Sequence, residues 1–191
     1  VDMRGFGNLS GVMKITWVTF GLGWLAILGV PPFAGFWSKD KIIESAFIGE
    51  GWRPWVFGLA TLIGAGITAF YMSRLFFMTF HGTKRWPKEA HPHESPRTMT
   101  IPMIVLAVGS ALLGLILGPT NGILHWLEPV VGGGHGEEHH PVIPATMLIV
   151  LTLLVVAAGV ALAWMRYWRD AVPKTAPVGS LLTRAARADL Y

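Results

Sequence analysis

Long apolar segments alternate with short polar connections along this chain of 191 residues. The apolar segments cover residues 12–30, 56–80, 101–117 and 142–164. A helix over the first of them would be about 28 Å long, which is close to the thickness of the hydrocarbon core of a bilayer. The segments lack the continuous polar face of a surface helix in a soluble protein. The pattern therefore predicts an all-α membrane protein, a bundle of about four transmembrane helices.

The first transmembrane helix is predicted to be discontinuous. Residues 29–49 read GVPPFAGFWSKDKIIESAFIG, so Pro31 and Pro32 directly follow the first apolar segment. A proline has no N–H to donate, and it disfavours helical geometry at the residue before it. Gly35 adds backbone freedom, and a second helical piece follows. We therefore expect a broken helix over residues 12–48, with the break at Pro31, Pro32 and Gly35.

The rest of the chain continues the same membrane domain. One domain over residues 1–191 is predicted, with further helices at residues 55–81, 99–118 and 142–168. The tail, residues 169–191, has small apolar residues at helical spacing with arginines between them. That pattern is typical of the start of an amphipathic helix on a membrane surface.

The basic residues are unevenly distributed among the connections. They concentrate in the connection 82–98 and in the tail, whereas residues 119–141 contain neither Lys nor Arg. Basic connections tend to stay on the cytoplasmic side of a membrane. The distribution therefore places 82–98 and the tail in the cytoplasm and 119–141 outside.

Composition excludes several classes of function. Hydrophobic residues make up 52% of the chain and charged residues only 14%, about half the charged share of a typical soluble domain. The chain has no cysteine, which excludes disulfides and cysteine-ligated zinc or iron–sulfur sites. The net charge of +4 is explained by membrane orientation, so we expect no nucleic-acid partner. Neither a phosphate loop, a dinucleotide fingerprint nor a hydrolase triad is present.

The charged residues after the break are candidates for proton transfer. At helical spacing, Lys39 falls on a face with apolar residues, whereas Asp40, Lys41 and Glu44 form a charged strip. Burial disfavours the charged form of a lysine, and a nearby carboxylate favours it, so Lys39 could take up and release a proton. Asp40 would modulate it, and Glu44 is a weaker candidate. Alternatively, the segment lies at the interface and its charges meet headgroups and water.

Other polar positions have more ordinary interpretations. Arg74 is a possible charge partner of Asp40 or Glu44, but it could also bind a lipid phosphate or extend to the interface. An interfacial role is favoured over a proton relay for His81. Residues 132–141, GGGHGEEHHP, could bind a metal ion, yet a solvated loop is favoured because the stretch is rich in glycine and has no cysteine.

Small residues on the second apolar segment suggest close helix packing. Ala60, Gly64 and Gly66 give this segment a face with little side-chain bulk. Such a face lets two helix backbones approach each other in a membrane. No bound ligand is needed to explain this face.

Two stretches resemble a known family. GVPPFAGFWSKDKI is similar to the broken-helix segment of the antiporter-like L subunits of proton-pumping NADH:quinone oxidoreductase, respiratory complex I. Residues 67–82, ITAFYMSRLFFMTFHG, look like the helix that follows it in that family. The resemblance implies a many-helix fold with inverted repeats, each with a discontinuous helix beside a polar axis. It maps the family's terminal proton-channel lysine onto Lys39, with Asp40 as its acidic neighbour.

The resemblance implies a fragment of a proton-translocating membrane subunit that couples quinone reduction to proton transfer through Lys39. Redox chemistry would belong to other subunits, so we expect this chain to bind neither a cofactor, a metal nor a small-molecule substrate. Its partners would be other membrane subunits of complex I and the lipid of a bacterial inner membrane. Two alternatives stay open: the large subunit of a multisubunit Na⁺/H⁺ antiporter, and a non-transporting membrane scaffold. Whether H⁺ or Na⁺ is the coupled ion is not decided by these residues.

Overall fold

The structure is a computed structural model, and it describes residues 3–120, 122–131 and 141–168. Two short 3₁₀ turns precede the first α-helix. Within the described ranges the α-helices are α1 (Lys14–Leu28), α2 (Ala34–Ala46), α3 (Arg53–Phe80), α4 (Arg97–Leu117), α5 (Gly122–Val131) and α6 (Ala145–Tyr167). These ranges contain no β-strand, so the predicted all-α fold class is confirmed.

Helices α3, α4 and α6 are long and apolar enough to cross a membrane. The shorter apolar helix α1 has 15 residues and is followed, after an interruption, by α2 with 13 residues. Together they form the discontinuous element that the proline pair predicts. The described part of the bundle thus has three long spans and one interrupted element.

Hydrogen bonds between distant segments show which helix ends lie together. The backbone N–H of Asn8 donates to the carbonyl of His81, so the start of α1 and the end of α3 share one end of the bundle. The N–H of Val142 donates to the carbonyl of Phe47 at the opposite end. Helix α6 then returns to the first end, where the Trp168 ring centroid lies 4.5 Å from that of His81. The elements therefore run alternately up and down, with α1 and α2 forming one passage.

Aromatic side chains fill the contact between α1 and α3. The indole of Trp24 stacks on Phe76 at 4.7 Å between ring centroids, and its Nε1–H donates to the hydroxyl of the fully buried Ser73. Phe20 and Phe80 extend this cluster toward the first end of the bundle. Because these rings are large, they give α1 a fixed position on α3.

Small residues instead set the contact between α3 and α6. A Cβ atom added to Gly159 would lie 2.6 Å from the carbonyl oxygen of Gly66, and one added to Gly66 would lie 2.7 Å from a methyl of Val155. The expectation of close packing is therefore met at Gly66. Gly64, which the sequence placed on the same face, has nothing within 4 Å of an added Cβ.

The connection 119–141 differs from the predicted loop, because residues 122–131 form α5. Its sequence, GILHWLEPVV, is apolar enough for a short helix, whereas the glycines and histidines that suggested a loop come after it. The His-rich tract 132–141 lies outside the described residues apart from Pro141, and so does the tail 169–191.

Candidate functional site

The interruption between α1 and α2 is a compact turn. α1 ends at Leu28 and is capped by Gly29, whose φ of 78° is in the left-handed region that glycine adopts readily. The N–H groups of Gly29 and Val30 turn back to carbonyls in the last turn of α1. Pro31 and Pro32 follow with no N–H to donate, and α2 begins two residues after Pro32. The break thus lies where the proline pair predicts.

Gly35 serves this turn by its small size. It lies in the first turn of α2, where a Cβ atom would overlap the backbone carbonyl of Ala26 in α1. The start of α2 is therefore pressed against the end of α1. The sequence predicts that Gly35 adds backbone freedom. Its backbone is helical, however, so the position requires the small size of glycine and not its conformational freedom.

Helix α4 covers the break, which sequence analysis did not anticipate. A Cβ atom added to Gly114 would lie 2.7 Å from the carbonyl of Pro32, and one added to Gly118 would overlap the indole of Trp37. Irregular backbone at membrane depth needs protein or water around it, and α4 supplies protein. These glycines carry no local signal of this role, since their partners lie about 80 residues earlier in the chain.

Lys39 reaches back from α2 to the end of α1. Its Nζ atom donates to the carbonyl oxygen of Ile27 at 2.7 Å. The last carbonyls of a helix have no partner within the helix and carry partial negative charge, so an ammonium group there is stabilised. The half-buried Lys39 also lines an open groove of about 520 Å³ between α1, α2 and α3, together with Ser38, Thr61 and Thr68.

Asp40 lies on a different face of α2. It lines a second cavity, of about 300 Å³, between α2, the end of α4 and α6. Its Oδ2 atom is buried and has no hydrogen-bond partner among the described residues. Glu44 lines the same cavity but is already paired, since its Oε2 atom lies 2.9 Å from Nζ of Lys41. Lys39 thus lies on one face of α2, and Asp40, Lys41 and Glu44 lie on another, as helical spacing predicts.

The start of α1 is held by a carboxylate that sequence analysis did not single out. Glu94, in the connection 82–98, accepts hydrogen bonds from the N–H of Ile15 at 2.7 Å and from the hydroxyl of Thr16 at 2.6 Å. Burial raises the pKa of Glu94, but the hydrogen bonds from Thr16, Ile15 and Ser95 outweigh it and hold the pKa below its usual value. α1 thus has a carboxylate at its N-terminus and the Lys39 ammonium at its C-terminus, as its dipole favours.

Comparison with known proteins identifies the family. Residues 1–68 match the family described as "NADH:quinone oxidoreductase/Mrp antiporter, TM". NADH-quinone oxidoreductase subunit L of Mycobacterium tuberculosis (strain H37Rv) is 53% identical over 191 residues, which is 100% of this chain and 30% of the relative. The chain belongs to the subunit L family. The resemblance of the broken-helix stretch is thereby confirmed.

More distant relatives of subunit L match part of the chain. NAD(P)H-quinone oxidoreductase chain 5 of Picosynechococcus sp. is 47% identical over 135 residues, covering 60% of this chain and 20% of that protein. Subunit L of Neisseria meningitidis serogroup A is 40% identical over 137 residues, again covering 60% of this chain and 20% of the relative. The chain spans about 30% of the length of its M. tuberculosis relatives.

Arg74 does not join Asp40 or Glu44 in the structure. Its guanidinium lies over the ring of Tyr167 in α6, 5.4 Å from the ring centroid. The described residues contain no ion pair between Arg74 and either carboxylate. The physical reason is position: Arg74 lies toward the end of α3, which packs against the start of α1, whereas the carboxylates lie after the break.

His81 packs among aromatic rings at the same end. Its ring lies within about 6 Å of those of Trp17, Phe76 and Trp168. The described residues hold no group of three or more His, Asp or Glu side chains arranged to bind a metal ion. His135, His139 and His140 lie outside those residues.

Proposed function

We propose that this chain is part of a proton-translocating membrane subunit in which Lys39 carries the proton. The supporting observation is the 2.7 Å hydrogen bond from Lys39 Nζ to Ile27 O at the end of an interrupted helix. This contact stabilises the ammonium form. If the side chain moves off the carbonyl while still half-buried, its charge loses that partner and proton release is favoured. A small movement at the break therefore switches the protonation of Lys39.

Asp40 is the modulating carboxylate in this mechanism. It is the immediate neighbour of Lys39 in sequence, and its Oδ2 atom has no partner among the described residues, so it is available to accept a proton. Glu44 has a lesser role, because its carboxylate is already engaged by Lys41 at 2.9 Å. Protons would pass from the Lys39 groove to the Asp40 cavity.

The redox chemistry of NADH and quinone would take place in other subunits. The chain carries no cysteine ligand for a cluster, and its relatives are named as subunits of NADH-quinone oxidoreductases. Its partners would be further membrane subunits and lipid, and no cofactor or small-molecule substrate would bind directly to it. The family description that matches residues 1–68 covers both this function and a Na⁺/H⁺ antiporter subunit. The match of all 191 residues of this chain to subunit L favours the first.

We further propose that the protein lies in the inner membrane of a bacterium, with the connection 82–98 and the tail in the cytoplasm and residues 119–141 outside. The basic residues of the first end support this, because positive charge is retained on the cytoplasmic side. The chain has no cysteine, so single cysteines at Lys88 and Trp126 would report sidedness through an impermeant maleimide. Labelling of position 88 in right-side-out vesicles would contradict the orientation.

The proton-carrier role is tested by replacing Lys39 in the complete complex. We expect Lys39→Ala to lower proton pumping by at least about tenfold. Lys39→Arg should preserve the bond to Ile27 O but also lose pumping, because arginine stays protonated. Lys88→Ala, in an exposed part of the connection 82–98, is the matched control. Full pumping by Lys39→Arg would instead favour the scaffold alternative, in which the cation only caps α1.

A further inference from the structure

The cavity beside Asp40 contains a buried polar group that the mechanism has not used. Thr152, in α6, lines this cavity and is 4% exposed, and its Oγ1 atom has no hydrogen-bond partner among the described residues. A threonine in a helix commonly bonds back to a carbonyl three or four residues earlier. Thr61 and Thr68 do so in α3, at 2.8 and 2.7 Å. Thr152 is thus a buried hydroxyl left available to the cavity.

Two more unpartnered polar atoms belong to the same cavity wall. Asp40 Oδ2 is a buried acceptor, and Trp37 Nε1 is a buried donor, and neither has a partner in the described part of the chain. A hydroxyl both donates and accepts. Buried polar atoms are normally satisfied by protein or by ordered water, so three in one cavity point to a polar occupant.

We propose that this cavity is a water-binding site in which Thr152 positions water against the carboxylate of Asp40. The volume of about 300 Å³ accommodates several water molecules, each of which needs two to four polar partners. Thr152 comes from α6 and Asp40 from α2, so the water joins two helices. A lipid acyl chain is disfavoured as occupant because hydrocarbon satisfies none of the three polar atoms.

The inference rests on the proposed proton transfer and adds a step to it. The proton that leaves an N–H bond of the Lys39 ammonium reaches the Asp40 carboxylate, which becomes a carboxylic acid. When that O–H bond breaks, the water held by Thr152 takes the proton and releases one of its own to a neighbouring water in the cavity. Lys39 is left as the neutral amine and Asp40 as the carboxylate, so no other reactant is needed. Thr152 is a positioning residue, since it acts through the water and exchanges no proton with Lys39.

The test replaces the Thr152 hydroxyl in the complete complex. Thr152→Val keeps the shape of the side chain but removes its hydroxyl. We expect this variant to pump about threefold to tenfold fewer protons per electron. Thr152→Ser keeps the hydroxyl and should pump nearly as well as wild type. Thr120→Val is the control, because the exposed Thr120 hydroxyl already donates to the carbonyl of Ile116 at 2.8 Å. Unchanged pumping by Thr152→Val would overturn the proposal.

Two further readouts separate positioning from a merely structural role. The infrared carbonyl band of protonated Asp40, identified by its loss in Asp40→Asn, should shift in Thr152→Val but not in Thr152→Ser. A high-resolution map of the wild-type complex should show water within hydrogen-bond distance of both Thr152 Oγ1 and Asp40 Oδ2. A cavity filled by lipid, or an unshifted band, would refute the water site. Pumping that is insensitive to Lys39→Ala would instead refute the proposed function.

Discussion

Lys39 and Asp40 are adjacent in the chain, but their side chains line different cavities on different faces of α2. Lys39 faces the open groove against α1 and α3, whereas Asp40 faces the cavity against α4 and α6. The described residues contain no ion pair between the two. In the proposed mechanism, a proton that moves from Lys39 to Asp40 therefore has to pass around α2.

The two carboxylates of α2 should differ in importance for pumping. Asp40→Asn removes a buried, unpartnered acceptor, whereas Glu44→Gln alters a group already bonded to Lys41. We expect Asp40→Asn to slow pumping about tenfold and Glu44→Gln by less than about twofold, in assays normalised to electron transfer. Equal effects of the two variants would contradict the assigned roles.

Gly35 should be intolerant of even one methyl group. In Gly35→Ala the new Cβ overlaps the backbone carbonyl of Ala26, which cannot rotate away as a side chain can. We expect a destabilisation of about 1–3 kcal/mol, measured by thermal inactivation of the complex, with a loss of pumping. Gly23→Ala adds the same methyl within α1, where nothing lies within 4 Å, and should be neutral or stabilising. If both variants behave alike, close approach is not the reason for Gly35.

Local pattern was enough to predict the interrupted element, the three long helices and the faces of α2, but not the short helix α5. Proline chemistry placed the break, and helical spacing separated Lys39 from Asp40 and Glu44. Apolar length predicted α3, α4 and α6 to within three residues at each end. These features depend on residues close together in sequence.

Features that depend on distant contacts were not predictable in the same way. Glu94 caps a helix that begins about 80 residues earlier, and Gly114 contacts Pro32 across a similar separation. Thr152 is distinguished only by the hydrogen bond that it lacks. The contact of Arg74 with Tyr167 likewise joins residues 93 positions apart, so the sequence offered Arg74 several partners without deciding between them.

The Glu94 anchor should depend on pH. Because its folded pKa lies below the unfolded value of about 4.3, the anchor contributes stability above that pH and loses it as pH falls through the folded pKa. Glu94→Gln should lower stability by about 1 kcal/mol at neutral pH and speed amide exchange at Ile15 and Thr16. The difference from wild type should shrink in acid.

Glu89→Gln is the matched control for this anchor, because Glu89 is an exposed glutamate of the same connection. Its amide exchange and thermal midpoint should match wild type across the pH range. A Glu94→Gln effect that persists unchanged in acid would show that the carboxylate charge is not what holds α1.

The contact between α3 and α6 predicts an order of effects for three glycines. An added Cβ at Gly159 meets the backbone carbonyl of Gly66 at 2.6 Å, whereas one at Gly66 meets the Val155 methyl at 2.7 Å. A backbone carbonyl cannot yield without moving its helix, but a valine side chain can adjust. We therefore expect Gly159→Ala to destabilise most, Gly66→Ala less, and Gly64→Ala not at all, since nothing lies within 4 Å of its added Cβ. Thermal unfolding of the three variants in detergent and in membranes measures the order. A large destabilisation by Gly64→Ala would mean that a contact other than the α3–α6 approach limits the size of residue 64.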